Sequence, residues 1–173
     1  MIRTVINIVF DPIKRFHFLD KLGFYSGLSD EEYLKKYFRI REGKKLNLND
    51  PKTLNEKLQY VKLYNRKEEY SKMVDKVEAK KYVAEIIGEK YIIPTYGVWN
   101  NFDDISFDQL PDKFILKCTH DSGRVFICNG KSKFDFKEAK KNISARLKIN
   151  YYKYGREWVY KDVKPRIIAE KLL

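Results

Sequence analysis

An α+β fold is what the sequence predicts, a helical N-terminal region followed by an antiparallel sheet subdomain, and three observations predict it. Two helix-start devices recur early in the chain, at Ser29-Asp30-Glu31-Glu32 and Thr53-Leu54-Asn55-Glu56. In each, a hydroxyl and a carboxylate three residues apart can cap a helix N-terminus reciprocally. After Tyr91 the apolar spacing changes from the helical ~3.6 to short β-rich runs bounded by Pro, Gly and Asn/Asp. Hydrophobic residues make up 43% of the 173 residues and aromatic residues 15%. That is enough apolar surface for one domain, or one domain and part of a second, and it excludes a disordered chain.

The elements follow in order. The first capping box opens a helix carrying Tyr33, Leu34, Tyr37 and Phe38 at helical spacing, and the second opens one with Leu54, Leu58, Val61 and Tyr64 on one face. Pro51 sits just before that cap, where no helical N–H is yet needed. A third helix runs from about Val77 through Ala79, Tyr82, Val83, Ile86 and Ile87 to a stop at Gly88. Tyr91-Ile92-Ile93-Pro94 reads as an edge strand closed by proline. A loop with one short helical turn is expected from Asn100 to Pro111. Phe114–Cys118 and Arg124–Cys128 read as a hairpin joined by the polar loop Thr119-His120-Asp121-Ser122-Gly123. A fourth helix carries Phe136, Ala139, Ile143 and Leu147, the aromatic and basic stretch Tyr151–Lys164 fits no regular pattern, and Arg166–Leu173 is a final strand. That strand ends on Leu172-Leu173 without a polar cap, which suggests a sequence continuing in a parent protein.

Composition narrows the function. A formal net charge of +12, from 36 Lys and Arg against 24 Asp and Glu, points to a phosphate-bearing partner: a nucleotide, a nucleic acid, a teichoic-type polymer or a membrane surface. The charges are scattered and form no basic tail, which weakens the nucleic-acid reading. No run approaches the ~20 apolar residues of a membrane span. The apolar opening from Ile2 to Phe10 lacks a signal-peptide cleavage pattern, so the default location is cytoplasmic, with peripheral contact at the inner membrane face compatible with the charge. Cys118 and Cys128 read as buried structural thiols, since no second pair or His-x-x-x-His accompanies them and no metal site is expected.

Lys117 is the most informative single residue. A lysine inside an apolar strand either snorkels to the surface or meets an anion. The loop beyond it, Thr119 to Gly123, offers hydroxyls and a glycine that can bring N–H groups onto phosphate oxygens. It is neither a Walker A motif nor a G-x-G-x-x-G loop, and an ordinary hairpin with a solvated lysine is the bland alternative. Glu170 and Lys171 interrupt the last strand. A carboxylate there can accept from a ribose or adenine, although a strand-end charge turning to water is the simpler reading. His17, among Phe16, Phe18 and Leu19, reads as a packed structural histidine. His120 beside Asp121 reads first as a pair that orders a turn. Tyr151, Tyr152, Tyr154, Arg156 and Trp158 could stack a base or sugar but fit packing under a loop better. No acid–base catalytic grouping is evident.

Several longer segments together resemble one family. Leu48-Asn49-Asp50-Pro51-Lys52-Thr53-Leu54-Asn55-Glu56-Lys57-Leu58-Gln59, followed by Asp75-Lys76, resembles the start of the TupA-like ATP-grasp family. Leu116-Lys117-Cys118-Thr119-His120-Asp121-Ser122-Gly123, Tyr154-Gly155-Arg156-Glu157-Trp158 and Lys164-Pro165-Arg166-Ile167-Ile168-Ala169-Glu170 continue it in the family's order. The resemblance runs from about Lys45 to the C-terminus. It implies an ATP-grasp fold, in which two α+β subdomains clamp ATP. On this view residues 1–74 form a helical N-terminal region and 75–173 the first ATP-grasp subdomain with the start of the adenine-binding hinge, stopping before the second subdomain. By likeness to D-alanine–D-alanine ligases, Lys76 and Lys117 are expected on the phosphates or adenine. Thr119, His120, Asp121, Ser122 and Gly123 are expected as the mobile loop over the phosphates, and Glu170, Lys171 and Leu172 as the hinge. Arg124 after Gly123 leaves this loop fewer glycines than many grasp enzymes carry.

The implied cofactors are ATP and Mg²⁺, with the magnesium ligands expected beyond Leu173. The implied reaction is activation of a carboxylate as an acyl phosphate followed by attack of an amine, in bacterial capsule, teichuronopeptide or wall-polysaccharide biosynthesis. The partner would then be a cell-surface polysaccharide or its precursor. Members are often labelled glycosyltransferases, but Asp103-Asp104 does not give the D-x-D spacing usual for such a metal site. Outside the resemblance, the runner-up is a non-catalytic basic module that binds polyanions or nucleic acid.

Overall fold

The computed structural model describes residues 10–173, so most of the apolar opening segment lies outside the described residues. The chain divides into two compact units, one running to Arg66 and the other from Lys67 to Leu173.

The first unit is helical. Helix α1 (Pro12–Lys21) starts at Asp11, whose carboxylate accepts from the N–H groups of Ile13 and Lys14. Helix α2 (Asp30–Glu42) and helix α3 (Leu54–Tyr64) both begin with complete capping boxes, Ser29 with Glu32 and Thr53 with Glu56, as the sequence predicts. The core of this unit gathers Phe16, Tyr33, Leu34, Phe38, Leu46 and Leu48. Phe16 stacks on Tyr25 at 4.6 Å between ring centroids, and the Tyr33 hydroxyl donates to Asp20 at 2.6 Å. His17 is exposed at the rim of this core, its ring against Phe16 and Tyr37, rather than packed within it. Leu54, Leu58, Val61 and Tyr64 of α3 are exposed.

The second unit is α+β. Helix α4 (Glu69–Val74) leads into helix α5 (Lys76–Ile87), which Gly88 ends at a φ of 97° that favours glycine. Four strands follow among the described residues: β1 (Thr95–Trp99), β2 (Lys113–Cys118), β3 (Phe126–Asn129) and β4 (Ile167–Lys171). They form one antiparallel sheet in the order β1-β4-β2-β3. Helix α6 (Phe136–Leu147) lies between β3 and β4 in the chain. Its Ala139 and Ile143 join the core formed by Phe114, Leu116, Cys118, Phe126, Cys128, Ile167 and Ala169 on one sheet face. Alternation explains that face, because every second residue of β2, from Phe114 to Cys118, is buried.

Three expectations are corrected here. Tyr91-Ile92-Ile93-Pro94 is not a strand: a 3₁₀ turn occupies Glu89–Tyr91 and the strand begins after the proline. Pro94 has no N–H to give to a ladder, but its carbonyl accepts from the Lys171 N–H at 2.9 Å, so it serves as the threshold of edge strand β1. The hairpin loop extends to Val125, because β3 starts at Phe126 rather than at Arg124. The Asn100–Pro111 loop holds two 3₁₀ turns, Phe102–Asp104 and Phe107–Gln109, instead of one. Two further 3₁₀ turns, Tyr151–Lys153 and Trp158–Tyr160, occupy the aromatic stretch that periodicity left unassigned.

Candidate functional site

On the sheet face opposite the core, the ladder sets a carboxylate beside a lysine. Lys117 of β2 lies across from Ile168 of β4, and Ile115 lies across from Glu170. Glu170 is therefore the diagonal neighbour of Lys117, within reach of a long side chain. Glu170 is only 2% exposed. One of its oxygens takes the Lys117 ammonium and the other takes Lys80 of α5 at 2.5 Å. Lys80 also donates to the Ile93 carbonyl at 2.6 Å and to the Thr95 hydroxyl at 2.9 Å. The strand-end carboxylate does not turn to water, because β4 is a central strand and two ammonium groups are folded over it. Burial pushes the Glu170 carboxyl up, yet the hydrogen bonds and charges of Lys117 and Lys80 outweigh burial and hold it below its ordinary value. Lys171, the next residue, points the other way and is exposed. Leu172 follows the strand, half-buried.

The start of α5 forms the second wall. Asp75 caps the helix by accepting from the Val77 N–H at 2.8 Å, and its other oxygen takes Arg166 at 2.7 Å. Arg166 also reaches Glu78 at 3.1 Å. The Lys76 N–H donates to the Thr119 carbonyl at 3.2 Å, and the Thr119 N–H donates to the Arg166 carbonyl at 2.9 Å. These bonds tie the helix start, the hairpin loop and the entry to β4 into one body. The Lys76 ammonium donates to the Thr119 and Asp121 carbonyls. Burial pulls its pKa below the usual lysine value, the Asp121 carboxylate opposes that, and the Lys117 cation adds to it.

The loop itself is anchored from beneath. Thr119, His120 and Asp121 are buried, while Ser122 is exposed at the tip. Asp121 accepts the Gly123 N–H at 3.0 Å through one oxygen and Arg146 Nε of α6 at 2.8 Å through the other. The first of these is the turn-ordering bond expected of a loop aspartate. The Arg146 guanidinium lies directly on the face of Gly123, where an added Cβ would fall 1.4 Å from Nη2. No side chain larger than hydrogen fits between them without displacing the arginine. His120 Nε2 lies 3.2 Å from the Arg146 carbonyl, and burial lowers the ring's pKa, favouring the neutral imidazole. Cys118, at the end of β2, is buried, and desolvation pushes its thiol up to about 11. Cys128 is likewise a free buried thiol.

The structure thus brings Lys76, Lys117, Glu170 and the loop Thr119–Gly123 to one end of the sheet, with Lys171 and Leu172 at the margin. The side chains of His120 and Asp121 are directed to α6 contacts. Three participants escaped sequence reasoning. Lys80 follows Lys76 by four residues on one helical face, a spacing that could have flagged it. Arg146 meets Asp121 across 25 residues, and Arg166 meets Asp75 across 91, separations that no local pattern encodes.

A family model described as TupA-like ATP-grasp matches residues 56–173, more than half of the chain and all of the elements that build this site. No curated protein and no solved structure matches.

Proposed function

Because the chain belongs to the TupA-like ATP-grasp family, we propose that it is the ATP-binding portion of a carboxylate–amine ligase-like enzyme of bacterial cell-surface polysaccharide biosynthesis. Residues 75–173 would be its first ATP-grasp subdomain, and the polysaccharide role rests on the family alone. The observation that carries the nucleotide reading is the cation surplus at the end of β2. Lys80 and Lys117 share one buried carboxylate, Glu170, and the Lys76 ammonium beside them is held by backbone carbonyls. A polyphosphate is the complement of that arrangement, and partly desolvated ammonium groups attract it more strongly than solvated ones do. In this reading Lys117 exchanges Glu170 for a phosphate oxygen while Lys80 keeps the carboxylate in place. Lys76 and the tip at Ser122 close on the same phosphates, and Glu170-Lys171-Leu172 lines the adenine and ribose.

The chemistry follows from the family. A substrate carboxylate attacks the γ-phosphorus, ADP leaves, and an amine then displaces phosphate from the acyl carbon to form an amide. What this chain supplies is binding, charge neutralisation and orientation of the triphosphate. Magnesium ordinarily needs a set of oxygen ligands. Among the described residues the one grouping of three ligating side chains is Cys118, His120 and Asp121, whose thiol and imidazole do not suit that hard cation. That grouping therefore does not fit Mg²⁺.

Calorimetric titration of ATP into the chain and into Lys117→Ala and Lys76→Ala tests the reading. Saturable one-to-one binding, weakened at least tenfold in each variant, is expected. Binding that ignores both substitutions and falls steeply and uniformly with salt would favour the polyanion-binding alternative instead.

A further inference from the structure

We propose that Cys118, His120 and Asp121 form a binding site for a borderline-soft divalent cation, Zn²⁺ before others, beneath the hairpin loop. Each residue offers one ligand atom, all three are buried, and the three atoms lie within 4.8 Å of one another. The histidine shows that this is more than proximity. Its Nε2 faces the Arg146 carbonyl at 3.2 Å, an acceptor, so the ring proton sits on Nε2 and the lone pair on Nδ1. Nδ1 is buried and has no hydrogen-bond partner among the described residues. A ring nitrogen pinned by a backbone carbonyl while the other presents a bare lone pair is the outer arrangement that metal-bound histidines use. Asp121 is also prepared. Arg146 and the Gly123 N–H hold its two oxygens in place, each at about one lone pair's cost.

The donor set decides the ion. A thiolate, an imidazole and a carboxylate suit Zn²⁺ in a tetrahedral shell, where three protein ligands leave a fourth position for water or an anion. Binding releases the Cys118 proton to solvent and forms the thiolate ligand. His120 also lines a cleft with Leu147, Ile149, Asn150, Tyr160 and Pro165. The site ties the end of β2 to the loop through bonds to the metal and does not depend on what binds above it.

Titration with Co²⁺ as a spectroscopic substitute tests the site. A thiolate-to-cobalt charge-transfer band saturating at one ion per chain is expected, abolished in Cys118→Ser, retained in Cys128→Ser, and displaced by Zn²⁺. Absence of the band in the wild type, its survival in Cys118→Ser, or its loss in Cys128→Ser would overturn the proposal. Should Cys118→Ser fail to fold by circular dichroism, X-ray absorption of the zinc-loaded wild type and Cys128→Ser decides the matter. One sulfur scatterer at about 2.3 Å is expected in both. A shell of nitrogen and oxygen alone overturns it.

Discussion

Replacing Glu170 by glutamine probes the arrangement at its hub. The wild-type carboxylate is 2% exposed and holds two ammonium groups, whose side chains are 19% exposed for Lys80 and 24% for Lys117. Glutamine keeps the size and removes the charge, leaving two half-desolvated cations next to one another without a counter-ion. Removing one partner of a buried ion pair costs about 3–5 kcal/mol. The residual exposure of both lysines, and the Ile93 and Thr95 acceptors left to Lys80, reduce the expectation to about 2–3 kcal/mol. At several degrees per kcal/mol for a domain of this size, the melting temperature should fall by about 10 °C. Lys117→Met should cost less, because Glu170 keeps Lys80. Lys80→Met should fall between the two, because it also strands two acceptors. Thermal and urea unfolding of the three variants gives the order directly. A loss of less than about 0.5 kcal/mol in Glu170→Gln, the level of an ordinary surface change, or a larger loss in Lys117→Met, would refute the hub.

Other outcomes follow from the same contacts. Because the folded-state pKa of Glu170 lies below its ordinary value of 4.5, its stabilisation is present above about that pH and disappears as pH falls through the folded value. Glu170→Gln should therefore flatten the acid limb of the stability curve below pH 4.5 relative to wild type, measured by melts between neutral and acid pH. Gly123→Ala must push the Arg146 guanidinium off the loop and break its bond to Asp121, costing about 1–3 kcal/mol. Hydrogen exchange should quicken from Thr119 to Val125, and unchanged exchange there would refute the anchoring role. Thr53→Ala removes the hydroxyl that accepts from the Glu56 N–H and donates to its carboxylate, and should cost about 1 kcal/mol. Exchange at the first turn of α3 reads that loss.

How much of this was legible in the sequence depends on how far apart the interacting residues lie. The capping boxes at Ser29 and Thr53 and the stop at Gly88 are local chemistry, and they stand where the sequence puts them. The α6 face of Phe136, Ala139, Ile143 and Leu147 was legible for the same reason, with Ala139 and Ile143 in the core. Tyr91-Ile92-Ile93 misled because apolar content cannot distinguish a strand from a segment entering one, and Gly88 and Pro94 bracket a turn instead. Glu170 misled more instructively. A charge near the end of an apolar run looks like a strand turning to water, and only the pairing of β4 between β1 and β2 makes it central and buried. The order β1-β4-β2-β3 is non-local and could not be read from alternation. Lys117 stood out in the sequence as a lysine that either snorkels to the surface or meets an anion, and the carboxylate that meets it lies on another strand.

The central claim is that the end of the sheet bearing Lys76, Lys117 and the hairpin loop holds the triphosphate of ATP. Backbone NMR of the chain titrated with ATP, compared with inorganic triphosphate at equal ionic strength, tests it most directly. Saturable shift changes are expected for both ligands at Lys76, Lys117, Glu170 and the loop around Ser122, with changes at Lys171 and Leu172 for ATP alone. Shifts spread over the scattered surface lysines, or the same response of Lys171 and Leu172 to both ligands, would contradict it.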